Sequence, residues 1–269
     1  MSALTLKLHT PPPMRLNLAP LHASNLAGKT SAEIESIALT HGARPVRVAD
    51  IFSLSGSPGD SLHIEGGSNR LDYIATHADG GTIIVEGDVG AYAAHKMKSG
   101  RLDIRGNAQA YLASSLNGGL ITVTGSAGDH LGGPHAGERD GISGGTVIVT
   151  GAIGELGGER MRRGTIITHA KTGANTGARM MGGTIIAPQG FGPCAGIQMR
   201  RGMLIAPSMD NMLTTFVDCG HHDLGIVHII SRHLQKTLGE LAPELPASRV
   251  HRFAGDMASL GKGEILLTQ

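Results

Sequence analysis

Four sets of side chains in this sequence are of types that do chemistry. His221, His222, Asp223 and His228 are imidazole and carboxylate groups dense enough in sequence to suggest a zinc ion. Their spacing, however, is neither HxH nor HExxH, and DCGHHDLG reads as a loop, so no metal site is assigned. Asp129, His130 and His135 are of acid–base type, but no nucleophile with an orienting partner accompanies them. Cys194 lies in GFGPCAG with no histidine near it in sequence, which fits close packing better than nucleophilic catalysis. The fourth set is basic: Lys96, Lys98, Arg160, Arg162, Arg163, Arg179, Arg200 and Arg201. No catalytic residue is expected in this chain.

The elements that must position these groups follow a clock. Strings of the type GTIIVEG open at Gly81, Gly100, Gly119, Gly145, Gly164, Gly183 and Gly202. The intervals are 19, 19, 26, 19, 19 and 19, the long one being a repeat with a seven-residue insertion around 133–141. SLHIEG at 61–66 is a weaker copy. Two and four residues after each opening glycine stand Ile83/Val85, Leu102/Ile104, Ile121/Val123, Val147/Val149, Ile166/Thr168, Ile185/Ala187 and Leu204/Ala206. Alternation with period two predicts a short strand with one face inward. A unit this short buries its apolar side only by stacking on its neighbours. The fold expected is an all-β solenoid, a parallel β-helix of about seven to eight 19-residue rungs. Parallel strands about 4.8 Å apart would make a rod of roughly 35 Å.

Stacking places each offset in a column. Offset sixteen reads Met97, Leu116, Met161, Met180 and Met199, a core ladder in which Met fills irregular gaps. Offset thirteen reads Ala94, Ala113, Gly132, Gly158, Gly177 and Gly196, which predicts a need for smallness and not for positive φ. Offsets six and nine hold glycine with few replacements, which predicts turn geometry there. The outward offset three ends in Ile148, Ile167, Ile186 and Ile205, an apolar strip that is either a partner interface or covered by the C-terminal segment. The basic residues fall at offsets fifteen to eighteen, on one edge. That edge is a solvated polar face, a contact for an acidic partner surface or a seat for an anionic ligand. The glycine strings are not dinucleotide fingerprints, which must open a helix after a strand.

Composition removes other classes. The chain has 269 residues, of which 41 are Gly, 17% are charged and 3% are aromatic, with a net charge near +1. Forty per cent hydrophobic residues argue against disorder, and the charge offers no general attraction to nucleic acid or membrane. No apolar run reaches the 18 or so residues of a membrane span. Residues 1–13 do not read as a signal peptide, and two cysteines, Cys194 and Cys219, make no disulfide framework, so the expectation is a cytoplasmic chain.

The ends differ from the array. LTLKL at 4–8 is strand-like, and Thr30 to Glu33 reads as a capping box opening EIESIAL as a helix. Leu224, Ile229, Ile230, Leu234, Leu238 and Leu241 have roughly helical spacing, GEILL at 263–267 is strand-like, and Pro243 and Pro246 separate the two. The expected layout is an N-terminal extension over 1–45, repeats over 46–207 and a C-terminal extension with an amphipathic helix over 208–269.

The blocks GGTIIVEGDVGAYAAHKMKSG and GGTVIVTGAIGELGGERMRRG resemble the GxGxG repeat of the formylmethanofuran dehydrogenase C subunit and of the C-terminal domain of the glutamate synthase large subunit. DIFSLSG, SLHIEG and RLDYIA resemble the dehydrogenase C subunits in particular, including their version in the formyltransferase/hydrolase complex of methylotrophic bacteria. The resemblance covers about 45–207; Ala75, Ala94 and Ala113 stand where later repeats have glycine. It implies a right-handed β-helix and a non-catalytic scaffold in a complex that moves a formyl group from formyl-tetrahydromethanopterin to a methanofuran-type cofactor (methylofuran) and hydrolyses it to formate. It also implies that the zinc and the chemistry sit in partner subunits of amidohydrolase-like, dehydrogenase-B-like and formyltransferase type. The basic edge would then face a glutamate-rich cofactor tail or an acidic subunit. Two alternatives are the C subunit of a molybdenum or tungsten formylmethanofuran dehydrogenase, and a stand-alone β-helix enzyme on an anionic polysaccharide. A left-handed hexapeptide acyltransferase is contradicted, because the six-residue series from Ile83 runs Val89, His95, Arg101.

Overall fold

A computed structural model describes residues 3–245 and 249–268. Its main feature is a thirteen-stranded, mostly parallel sheet that does not close into a barrel. The parallel run takes one strand from each repeat: Ser61–Glu65, Asp79–Glu86, Ser99–Ile104, Leu120–Val123, Thr146–Val149, Thr165–Thr168, Thr184–Ile186 and Arg201–Ala206. Register follows the clock: Ile83 lies beside Leu102, Leu102 beside Ile121, Ile121 beside Val147 and Val147 beside Ile166. A second column of parallel bridges joins Val89 to Ala108, Ala127, Ile153 and Thr172 in turn.

The inward offsets are buried, from Ile83 through Ala206, and so is the ladder of Met97, Leu116, Met161, Met180 and Met199. Ala78, where that ladder would begin, is buried as well. Thr168 is a polar member of the inward column, and its hydroxyl donates to the Gly151 carbonyl at 2.9 Å. A buried hydroxyl so paired avoids the cost of an unmet hydrogen bond.

The glycine columns at offsets nine and thirteen exchange the roles expected from sequence. Offset thirteen is left-handed throughout: Ala94 and Ala113 both have φ of 57°, and Gly177 has 73°. Offsets eleven and fifteen are left-handed too, as at Tyr92 and Lys96. The alternation turns successive amides to opposite neighbours. Ala113 donates backward to the Ala93 carbonyl at 2.7 Å, while Tyr111 donates forward to the Asp129 carbonyl at 2.9 Å. By contrast Gly128, Gly154, Gly173 and Gly192 at offset nine are outside the left-handed region, and an added Cβ would strike the preceding repeat. At Gly173 that atom would lie 2.6 Å from the Gly154 carbonyl carbon. Smallness therefore decides offset nine except at Gln109, and positive φ decides offset thirteen, while offset six divides, with Gly66 and Gly87 at positive φ and Gly106, Gly125 and Gly151 outside it.

Antiparallel strands end the sheet on both sides. Ala3–Leu8 joins Ser61–Glu65 in parallel, and Phe52–Ser55 closes that edge. At the other edge Lys262–Thr268 extends the parallel run, followed by Arg249–Gly255 and Val217–Asp223. The DCGHHDLG segment, read as a loop, is thus largely an edge strand, paired with a segment some thirty residues away in sequence. The capping box forms, with Glu33 N–H donating to Thr30 Oγ1 at 3.3 Å and Thr30 N–H to Glu33 Oε2 at 2.7 Å. Its helix spans only Ser31–Glu35, because Ala38–His41 leaves to pair in a small four-stranded sheet. Pro246 lies outside the described residues.

The isoleucine strip is covered within the chain. Helix Gly225–Leu238 lays Val227 and Leu234 over Ile148, Ile167, Ile186 and Ile205, none more than 3% exposed. Leu266 prolongs the strip beside Ile205. These four isoleucines, offered above as partner-interface candidates, are therefore unavailable to another chain while the helix is docked. The apolar surface open on that side is the helix's opposite face, with Ile226 42% and Ile229 63% exposed.

Candidate functional site

The basic edge forms two adjoining grooves. One of about 420 Å³ is lined by Arg139, Arg160, Arg179 and Arg200, with Gln198 and Ser259 as neutral polar neighbours. The second, about 640 Å³, is lined by Lys96, Arg139, Arg162, Arg163 and Arg201 together with Glu138, Asp140 and Ser143. Seven of the eight basic residues expected to form an edge thus line a groove. Lys98 stands outside both and faces Asp79 at 3.7 Å. Repeat geometry explains the gathering: Arg160, Arg179 and Gln198 occupy offset fifteen of successive turns, all at positive φ.

Charge in the grooves is unevenly matched. Glu159 lies 3.4 Å from Arg179 and 4.0 Å from Arg160, and Arg162 reaches Asp140 at 2.8 Å. Lys96 pairs closely with Glu138. Burial pushes the Glu138 carboxyl up, but hydrogen bonds from Lys96 and Ser115 outweigh it and hold the group below its ordinary range. The guanidinium groups of Arg139, Arg163, Arg200 and Arg201 have no hydrogen-bond or ion-pair partner among the described residues. In the first groove Arg139, Arg160, Arg179 and Arg200 stand together with no carboxylate in the lining and repel one another, and each guanidinium fork fits a carboxylate or phosphate. The first groove has the chemistry to hold an anion.

Arg139 was not among the candidates. It belongs to the insertion around 133–141, off the 19-residue clock, so column counting passes over it. A second omission lies beside the grooves. Tyr73, Tyr92 and Tyr111 stack in one column with centroids 5.0 and 4.9 Å apart, and His130 continues it at 4.7 Å. The signal was present, since the chain's three tyrosines are spaced by 19. His95 and His135 flank Tyr92. His95 is buried, which lowers its pKa against a smaller upward pull from Glu138.

The remaining groups are dispersed. His130 meets Glu159 at 3.2 Å, and Asp129 accepts from the Glu155 amide at 2.8 Å. His222 contacts the Cys219 carbonyl at 2.8 Å, His221 stacks on His251, and His228 lies on the C-terminal helix. Cys194 occupies the same left-handed column as the tyrosines, at φ 59°.

No protein-family model matches the chain. Over 263 residues it is 44% identical to the C subunit of the formyltransferase/hydrolase complex Fhc of Methylorubrum extorquens, covering 98% of each sequence. The chain belongs to the family of Fhc C subunits. Its fold matches the X-ray crystal structure of the formyltransferase/hydrolase complex FhcABCD from Methylorubrum extorquens in complex with methylofuran. The TM-score is 0.90 at 36% identity, with 98% of this chain and 99% of that one covered. A partial likeness, 35% identity over 83 residues, relates this Fhc-type chain to the C subunit of the tungsten-containing formylmethanofuran dehydrogenase 2 of Methanothermobacter thermautotrophicus. That match spans 27% of this chain and 31% of the relative. No helix among the described residues is long and apolar enough to cross a membrane.

Proposed function

We propose that this Fhc-type chain is a non-catalytic, cytoplasmic scaffold subunit of a formyltransferase/hydrolase complex. The complex transfers a formyl group from formyl-tetrahydromethanopterin to a methanofuran-type cofactor and releases formate by hydrolysis. The observation that carries this reading is 44% identity along 98% of both sequences to a member of such a complex. Its partners are the amidohydrolase-like subunit, which holds the zinc, the dehydrogenase-B-like subunit and the formyltransferase subunit. The body is a right-handed parallel β-helix over 46–207, with 1–45 and 208–269 as end caps. The 19-residue register and the second column of parallel bridges support a coil over a flat sheet, and parallel crossovers are right-handed in nearly all proteins.

Within that assembly the two basic grooves hold the anionic, glutamate-rich tail of methylofuran. Repeated carboxylates on a flexible chain would meet the unpaired Arg139, Arg163, Arg200 and Arg201.

Affinity purification of the chain from its native cells, with mass spectrometry of what accompanies it, tests the reading. Formyltransferase and amidohydrolase-like subunits without molybdenum or tungsten are expected. Recovery with an iron–sulfur and molybdenum or tungsten enzyme would move the chain to the dehydrogenase, the alternative favoured by the 83-residue match. Recovery alone, with cleavage of an anionic polysaccharide by the purified chain, would make it an enzyme in its own right.

A further inference from the structure

The insertion around 133–141 carries Glu138, Arg139 and Asp140 in succession, an arginine between two acids. The chain leaves the repeat after Gly133, whose carbonyl accepts from the Ser115 amide at 3.2 Å. It rejoins at Gly141, whose amide donates to the Arg160 carbonyl at 3.1 Å. Between those points the two acids grip opposite sides. Glu138 pairs with Lys96 and accepts from the Ser115 hydroxyl, both on turns before the insertion. Asp140 takes Arg162 on the turn after it at 2.8 Å, and its carbonyl accepts from the Ser115 hydroxyl at 3.0 Å. Arg139, between them, is exposed and lines both grooves.

A carboxylate in the lining of a groove that takes anions needs a reason, and two reasons have opposite consequences. If Glu138 acts on a ligand through its charge alone, removing that charge frees Lys96 and strengthens anion binding. If it acts by fixing the insertion, removing it releases Arg139 and weakens binding. The contacts favour the second. The Glu138 charge is matched by Lys96 at close range, so the pair offers little net field to a ligand. Packing holds only the near end of the insertion, where His135 lies 4.9 Å from the Tyr92 ring and 5.1 Å from His95. At Gly137, with φ of 85°, an added Cβ would meet nothing within 4 Å. From there to Gly141 the ties to the repeats are the polar contacts of Glu138, Arg139 and Asp140.

We infer that Glu138 is a positioning residue of the anion site: seated on Lys96 and Ser115, its carboxylate ties down the insertion so that Arg139 serves both grooves. This rests on the reading of the grooves as the seat of a glutamate-rich tail, and it names what sets the affinity of that seat.

The test titrates the assembled complex, washed free of methylofuran in high salt, with synthetic hexaglutamate at fixed ionic strength. Arg139→Ala should raise the apparent Kd about fivefold or more. Glu138→Gln should also raise it, although it makes the groove more positive, and should add nothing when combined with Arg139→Ala. Ser115→Ala changes no charge and removes the hydroxyl shared by Glu138 and the Asp140 carbonyl. It should shift the Kd in the same direction, and it decides the matter if Glu138→Gln does not assemble. Binding by Glu138→Gln that is tighter than wild type or equal to it would overturn the inference. So would losses that add, because Glu138 would then act apart from Arg139. Weaker binding in Arg200→Ala with none in Arg139→Ala would overturn the inference and leave the groove reading standing. Wild-type binding in both arginine variants would overturn the groove reading and the inference with it.

Discussion

At the scale of single residues, the repeat asks for different things at positions that look alike in sequence. Gly173 and Gly177 are both glycines of one turn, yet only Gly177 has positive φ, and only Gly173 is pressed against backbone. A methyl on Gly177 would meet the movable Leu204 Cδ2 at 3.1 Å, and Ala94 and Ala113 already tolerate that position. Gly177→Ala should therefore cost about 1–2 kcal/mol, the penalty of a left-handed alanine. Gly173→Ala must displace the preceding repeat and should cost clearly more. Chemical denaturation of the two variants measures the difference, and equal losses would refute the division of roles. Met180, fully buried, is a sharper probe. Met180→Asp puts an unpaired charge into the core and should lower stability by roughly 3 kcal/mol or more, seen as a large fall in Tm or as insoluble protein.

At the scale of elements, the C-terminal helix Gly225–Leu238 is amphipathic, and its two faces have different consequences. Leu234 is buried against the isoleucine strip, so Leu234→Ala should cost about 2–4 kcal/mol and expose apolar surface. Ile229 faces away, and Ile229→Ala should leave the isolated chain within about 0.5 kcal/mol of wild type. Dye binding to exposed apolar surface, followed alongside denaturation, separates the two: a rise for Leu234→Ala and none for Ile229→Ala. A strip that remained protected in Leu234→Ala would mean that the helix does not depend on this contact.

At the scale of the whole molecule, titration ties the aromatic column to overall stability. His95 and His22 both have lowered pKa values, chiefly from burial, below their ordinary 6.5. The folded state therefore holds fewer protons than the unfolded chain once pH falls below about 6.5, so stability declines from there and levels off below the folded pKa values. Glu138 and Asp256 are held low as carboxylates, and the stability they give is lost only in more acidic solution. Denaturation between about pH 7.5 and 5 should show the histidine step, and His95→Gln should flatten it. The grooves give a separate readout. Arg139→Ala with Arg200→Ala in the assembled complex should reduce its methylofuran content while leaving assembly intact, because both guanidinium groups are unpaired among the described residues.

Strand positions, register and the inward Ile/Val and Met columns were legible from the sequence alone, because a fixed 19-residue period converts spacing directly into neighbours. So was the gathering of lysines and arginines from distant repeats onto one edge. Other features were settled by contacts that no period encodes. The pairing of Val217–Asp223 with Arg249–Gly255 makes a strand of a loop-like segment. The docking of Gly225–Leu238 covers the isoleucines. Arg139 enters both grooves because an insertion folds back over the turns. The conformation at offset thirteen was hidden because alanine and glycine both fit there, and only the alternating direction of the amide hydrogen bonds reveals that every member must be left-handed. Periodicity determines which residues stack, while the ends, the insertion and the backbone's handedness at each turn depend on what they meet in space.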